Sequence, residues 1–385
     1  MPSGVGPHEG VQRMLETAAK AGLITCPVCR GPDAQGVYQH PRLDIAEIWA
    51  QNNDGHVIQG MLQCTRCPAR FPVIDGVAVV FKDVGAWLRQ QERALMWRDD
   101  LHPHLDDWVR GAWADHEAQN WDRQMLAVYA RPLCGQIDEA DHLPGPIRAL
   151  EQDWYRFHEG RRAVCLQSRA DAWVLDAGCA LGVGALDASR HAAGVIAMDS
   201  SFAPLRTLAT LLREGRARVP RWRNGGRDYT TVEITLPEGV HAERIVPIAG
   251  DVLDPPLAAG RMSLVSALNV LDNTSDPVLA VRQLHAALQP GGTLAMSSPF
   301  DWAEHTTPRD RRLGETLRAA GSDAPEDALK ALLSGAFETL APELKMHLLH
   351  TAELSWVLPR HRRNAHVFAS FYVEAQKPLT QATSA

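Results

Sequence analysis

One short stretch limits most strongly what this chain can become. Ala172 to Leu175 reads as an apolar strand ending at Asp176, and the turn Asp176-Ala-Gly178-Cys179-Ala180-Leu-Gly182 follows it. A helix from about Val183 to Ala192 comes next, and then a second strand, Gly194 to Met198, that ends in Asp199. Strand, glycine turn, helix and strand in this order begin a doubly wound parallel α/β sheet, whose ligands bind at the carboxyl ends of the strands. Glycines in such a turn let the backbone bend sharply and approach a ligand closely.

The acidic residues narrow the choice of ligand. Asp199, followed by Ser200, stands where a carboxylate can accept hydrogen bonds from both ribose hydroxyls of an adenosyl group. A third strand, Arg244 to Ala249, ends in Gly250-Asp251-Val252, where a carboxylate can meet the adenine amino group. A dinucleotide would rest its pyrophosphate on the helix N-terminus, and Asp176 just before the turn would oppose that charge. The same carboxylate suits the ammonium of a methionine tail, and Ala180 stands where a dinucleotide turn carries its second glycine. S-adenosylmethionine fits this loop better than NAD.

A second pattern lies near the N-terminus. Four of the seven cysteines form two Cys-x-x-Cys pairs, Cys26/Cys29 and Cys64/Cys67. The first residues, MPSGVGPHEG, have neither a basic start nor an apolar stretch, so no signal peptide is expected and the cytoplasm is the default location. Thiols kept reduced in that compartment read as metal ligands before they read as disulfides, and four thiolates complete a closed, structural zinc shell. The other reading is two unrelated pairs of buried thiols. A helix-like stretch, Leu43 to Trp49, lies between the pairs, and RFPVIDGVAVVF after them reads as a strand broken by an Asp75-Gly76 turn. Residues 20 to 82 resemble the small zinc-ribbon proteins that activate tRNA and protein methyltransferases. The resemblance implies a ribbon fused to the enzyme it would otherwise assist.

Residues 83 to 165 carry Trp and Leu at helical spacing, among them Trp87, Leu88, Leu95, Trp97, Trp108, Trp113 and Trp121. They read as a helical bridge. Pro144-Gly145-Pro146 makes a linker before a helix over Glu151 to Val164, which carries Trp154, Tyr155, Phe157 and His158 and could lid a cofactor. Residues 303 to 350 read as helical.

The segments DAGCALG, AMDSS, AGDV, LVSALNVLDN and ALQPGGTLAMSSPFDW follow the order of the class I methyltransferases over about residues 172 to 302. The pair Ala352 to Leu358 and Ala365 to Ala375 resembles that family's closing sixth and seventh strands. The chain is similar in particular to the methyltransferase domain of ovothiol synthases and related mercaptohistidine methyltransferases. The similarity rests on Gly178-Cys179-Ala180-Leu181-Gly182, Asn269-Val-Leu-Asp272, Ser298-Pro299-Phe300-Asp301-Trp302 and Thr306-Thr-Pro308-Arg309. Animal protein-histidine methyltransferases share the Asn-x-x-Asp segment. Two positions depart from the pattern: Asn273 stands for its Arg, and Phe300 for its Tyr.

The expected fold is therefore α/β, a Rossmann-like seven-stranded class I methyltransferase sheet. A zinc-ribbon domain over 1–82, a helical bridge over 83–165 and a catalytic domain over 166–385 with an insertion at 213–243 complete it. The resemblance implies methyl transfer to a nitrogen acceptor, most simply an imidazole of histidine type, free or in a peptide. Asn269, Asp272, Asp301 and Trp302 should meet at the transferred methyl. Asn269 would orient the acceptor through its side-chain carbonyl, and Asp272 would accept the second ring N–H; the alternatives are a helix cap for Asn269 and a solvated face for Asp272. Asp176, Gly178, Cys179, Ala180, Gly182, Asp199, Ser200, Asp251, Val252 and Asn269 should line the cofactor. Cys134 and Cys165 read as packing residues.

Charge and length bound the rivals. Lys and Arg number 39 against 46 Asp and Glu, a formal net charge of −7, so the chain has no general attraction for nucleic acid or an anionic membrane. Arg213, Arg216, Arg218, Arg221, Arg223 and Arg227 nevertheless crowd the first half of the insertion, ahead of an Asn224-Gly225-Gly226 hairpin turn. They make either a solvated hairpin, the reading we prefer, or a basic rim for an anionic substrate. An RNA methyltransferase and a non-catalytic scaffold are the alternatives. The lack of an Asn-Pro-Pro-Tyr-like segment speaks against the first, and intact Asp176, Asp199 and Asp251 against the second.

Overall fold

The computed structural model describes residues 14–53, 55–91, 95, 101–110, 126–133, 144–166, 171–222, 229–361 and 364–379. Helices are α1 (Met14–Lys20), α2 (Val84–Gln90), α3 (Pro103–Arg110), α4 (Gly145–Leu166), α5 (Val183–Ala188), α6 (Phe202–Glu214), α7 (Pro277–Ala287) and α8 (Pro325–Leu333). The N-terminal strands are β1 (Gly31–Pro32), β2 (Tyr38–Gln39), β3 (Leu43–Gln51), β4 (Val57–Cys64), β5 (Arg70–Ile74) and β6 (Val77–Val79). The later ones are β7 (Trp173–Ala177), β8 (Gly194–Asp199), β9 (Arg216–Trp222), β10 (Tyr229–Thr235), β11 (Ile245–Ala249), β12 (Met262–Leu268), β13 (Leu288–Ser298), β14 (His347–His361) and β15 (Asn364–Gln376).

β7, β8, β11 and β12 are short, almost wholly buried and apolar, as parallel strands covered on both faces must be. They lie in one sheet of eleven strands, in the order β14-β15-β13-β12-β7-β8-β11-β6-β5-β4-β3. After β11 the chain crosses back to the other side of β7 to form β12. That reversal between β7 and β12 is the switch point at which α/β sheets hold ligands. β15 runs antiparallel to β13 and β14 antiparallel to β15, which closes the far side.

The expected seven strands are thus part of a larger sheet. β6 pairs in parallel with β11, through Ile248↔Ala78 and Ala249↔Val79, and β5, β4 and β3 continue the sheet antiparallel beyond it. The N-terminal strands are not set apart from the parallel sheet. They share one hydrophobic core with β7, β8 and β11, in which Phe71, Ile74 and Val77 are 0–1% exposed.

Three expectations about secondary structure are overturned. Leu43 to Trp49 is strand β3, not a helix, and the β3–β4 register shifts at Ile45/Glu47, Ile48/Ala50 and Ala50/Gln51 explain the misreading. Each bulge breaks the two-residue alternation by one position and so blurs the strand pattern. Pro144-Gly145-Pro146 is no linker, because Gly145 and Pro146 begin α4; proline is tolerated in a first turn, where its missing N–H has no partner to lose. Residues 303–350 contain one α-helix, α8, with a 3-10 turn over Arg309–Arg311 before it and the start of β14 at His347. Gly314, Gly321 and Gly335 there take left-handed φ of 82°, 79° and 87°, which a helix cannot carry.

α5 ends at Ala188, short of the Ala192 expected, and the insertion forms the antiparallel β9–β10 hairpin. Its turn residues 224–226, Arg223 and Arg227 lie outside the described residues, as do Trp97, Trp113, Trp121 and Cys134. Among the described residues no helix is long and apolar enough to cross a membrane.

A shared sheet implies shared stability. Phe71→Ala should cost about 3–5 kcal/mol and shift a single thermal transition of the whole chain, followed by circular dichroism, to lower temperature. Two transitions, only one of them moved, would show that the N-terminal strands fold separately.

Candidate active site

The loop after β7 is built for a close approach. Gly178 and Gly182 have φ of 69° and 78°, and Ala180 is held at 48°, a conformation that costs a residue with a Cβ. A Cβ on Gly178 would stand 2.3 Å from Val270 Cγ2, and one on Gly182 2.6 Å from Leu208 Cδ2. No larger residue fits at either place. The backbone N–H groups of Gly178 and Cys179 both donate to the Met198 carbonyl, at 2.8 and 3.1 Å, so the loop is pinned to β8.

Asp199 locks this loop to the next one. Its Oδ2 accepts from the Ala180 N–H at 2.8 Å and its Oδ1 from the Ser201 N–H at 2.8 Å, and each oxygen keeps a further lone pair for a ligand hydroxyl. Burial raises the pKa of Asp199, and its backbone donors oppose that shift. Asp176 is 7% exposed, and its carboxylate lies against the first turn of α5, 2.8 Å from where a Cβ on Gly184 would be. Burial pushes it up to about 6 against the opposing charge of Arg162. Arg162 in turn meets Asp187 at 2.6 Å, a buried pair that ties α4 to α5. Asp251 is exposed and accepts from the Leu253 N–H at 2.8 Å, with Val252 half-buried beside it. Ser200 is exposed; its carbonyl accepts from Trp87 Nε1 at 2.9 Å. Cys179 is buried, and burial beside Asp199 drives its thiol far above the usual range, which makes it inert as a nucleophile.

Two residues from the N-terminal part of the chain, Arg30 and Trp87, reach these loops. Trp87 holds Ser200 and packs edge-on against Phe202, with ring centroids 5.5 Å apart. Arg30, next to Cys29, donates to the Pro255 carbonyl and pairs with Asp254, on the loop that follows Asp251. Arg30 carries no signal of its own in the sequence, and Trp87 reads there only as part of the helical bridge.

Across the switch point the strand ends are polar and strained. Asn269 follows β12 at φ 55° and Phe300 follows β13 at φ 53°. Of the four non-glycine residues with left-handed φ among the described residues, three therefore stand at these strand ends. The Asn269 Oδ1 accepts from Ser297 Oγ and from Ser370 Oγ, each at 3.1 Å. Asn269 is no helix cap, and its carbonyl is already engaged, so its Nδ2 donor is the group left to face a ligand. Asp272 is 5% exposed and accepts from Ser298 Oγ at 2.9 Å, while the same Ser298 Oγ accepts from the Phe300 N–H. Asp272 is thus no solvated residue, and burial raises its pKa against the pull of Ser298. Asp301 is exposed, and Trp302, half-buried, lies 5.9 Å from the Phe300 ring. Ser297 and Ser298 sit inside a segment the sequence already marks; Ser370, far along the chain, carries no signal of its own.

The four paired cysteines come together. Cys26 Sγ lies 3.7 Å from Cys67 Sγ and Cys29 Sγ 3.5 Å from Cys64 Sγ, and all four sulfurs fall within 4.8 Å of one another. A disulfide would need about 2 Å, whereas zinc–sulfur bonds of about 2.3 Å in a tetrahedron set sulfurs about 3.8 Å apart. The cluster could hold one such ion. Burial pushes the Cys26 thiol up to about 11, so an ordinary thiolate shell here needs a cation to form. Cys165 is half-buried and packs against the core.

Residues 175–296 match a family model described as a methyltransferase domain. Among solved structures, the chain is similar to the [4+2]-cyclase SpnF, with 16% identity over 67% of this chain and 94% of that one and a TM-score of 0.41. It is also similar to the N-methyltransferase NodS from Bradyrhizobium japonicum WM9, with 16% identity over 61% and 98% and a TM-score of 0.36. A third is a complex of the Haloferax volcanii Trm112 methyltransferase activator and a methyltransferase, with 12% identity over 61% and 94% and a TM-score of 0.33. No curated protein matches the chain. The glycine loop and the strand-end carboxylates Asp176, Asp199 and Asp251 all fall inside the matched span, so residues 175–296 of this chain are similar to a methyltransferase domain.

Proposed function

We propose that this protein transfers a methyl group to a ring nitrogen, most simply an imidazole of histidine type, in a small molecule or peptide. The observation that supports it is the pair of half-sites divided by the switch point: Asp176, Asp199 and Asp251 on one side, Asn269 and Asp272 on the other. Bound S-adenosylmethionine supplies a methyl carbon on a cationic sulfur, which the acceptor nitrogen displaces in line.

The chain's own residues then have limited work. A neutral imidazole is already nucleophilic near neutral pH, so positioning is the main demand. Asn269 Nδ2 is free to donate to the acceptor while the two serines hold its orientation. Asp272 and Asp301 put negative charge beside the ring as it turns cationic, and the ring N–H proton can then leave to water or to Asp301. Asp199 offers lone pairs to the ribose and Asp251 to the adenine amino group. The four cysteines hold one structural zinc ion, in a ribbon of the kind that supports methyltransferases.

Two experiments test this reading. With methyl-labelled S-adenosylmethionine, label should pass to histidine derivatives or histidine peptides; label in total RNA alone would overturn the imidazole reading and favour an RNA methyltransferase. The affinity for the cofactor should also fall as pH drops through about 6, because Asp176 then becomes protonated and its attraction for the ammonium is lost. One proton limits the slope to about tenfold per pH unit. Asp176→Asn should flatten this dependence; an unchanged pH profile in that variant would remove Asp176 from the cofactor site.

A further inference from the structure

β15 pairs with β13 only from Phe371 onward, where Phe371 lies opposite Ser298. Residues 364–370 of β15, with their partners on β14, therefore continue past the end of β13, beyond the carboxyl edge of the sheet. At about 3.3 Å per residue the overhang spans about 20 Å. Its orientation follows from one contact: Ser370 donates to Asn269 Oδ1 at 3.1 Å, so the face of β15 that carries Ser370 is turned to the acceptor side. Phe368, two residues away, shares that face.

Phe368 is not alone there. Trp356 is its direct cross-strand partner, and the two rings stack with centroids 5.2 Å apart and planes 26° apart. Trp154 of α4, 6% exposed, closes the back of the pair at 6.3 Å from Trp356. Trp356 and Phe368 are both half-buried, yet neither belongs to the hydrophobic core cluster. Two large aromatic rings are thus held out of the core, past the end of the sheet, on the face that carries the Asn269 contact.

We infer that Trp356 and Phe368 are the specificity wall for the methyl acceptor, and that they select a planar ring by stacking. The inference rests on the proposed reaction and deepens it: Asn269 marks where the acceptor is polar, and the overhang marks where it is flat. Aromatic pairs reward coplanar or edge contact in a way that a saturated ring of similar size cannot match.

The test uses the full chain, with and without S-adenosylhomocysteine, and titrates 4-methylimidazole, indole and piperidine by calorimetry at pH 8. The planar probes should bind about tenfold more tightly than piperidine. Phe368→Leu, which keeps an apolar side chain on the hairpin but removes the ring, should erase that preference, as should Trp356→Ala, while S-adenosylhomocysteine affinity and melting temperature stay unchanged. Equal binding of piperidine, planar binding indifferent to both substitutions, or no planar binding at all would overturn the inference. Failure of S-adenosylhomocysteine to bind the unmodified chain would instead count against the proposed reaction, since the probe titrations without it still report on the wall.

Discussion

The arrangement depends on one narrow contact, the parallel pairing of β6 with β11. Only two residues of β6 pair with β11, Ala78 and Val79, but through them β6 joins the antiparallel strands β5, β4 and β3 to the parallel sheet. The Val80 N–H donates to the Ala249 carbonyl at 2.8 Å, one residue before Gly250-Asp251. From that seam Arg30 reaches the loop after Asp251, and Trp87 reaches the loop after Asp199. Among the described residues, Arg30 and Trp87 thus brace the loops after Asp251 and Asp199, while the contacts at Asn269 come from Ser297 and Ser370.

The two halves of the site differ in how they are held. On the cofactor side the backbone does the work, with two glycines too crowded for any side chain and an aspartate bonded to two main-chain N–H groups. On the acceptor side the side chains are locked by hydroxyls, Asn269 by two serines and Asp272 by a third. Such fixed dipoles need no reorganisation when charge develops beside them. Left-handed backbone at Ala180, Asn269 and Phe300 is the strain that this arrangement tolerates.

Much of the cofactor side can be read in the residues themselves, because each strand end is marked locally: an apolar run, then an acid. The strands at Asp176, Asp199 and Ala249 begin and end within about two residues of where the sequence suggests. Features that depend on distant partners are hidden. Nothing in Val77-Ala-Val79 announces a parallel neighbour in Ile248-Ala249, and three bulges disguise β3. Ser370 and Phe368 gain their meaning only from the register that carries the hairpin past Ser298. The role expected for the Asn269 carbonyl fails for the same reason, since its partners lie on β13 and β15.

Binding of S-adenosylmethionine to the purified chain, followed by titration calorimetry, tests the central claim most directly. The account predicts one site per chain, lost in Asp199→Ala while the melting temperature is kept. Absence of binding to the unmodified chain, or binding indifferent to Asp199→Ala, would contradict it.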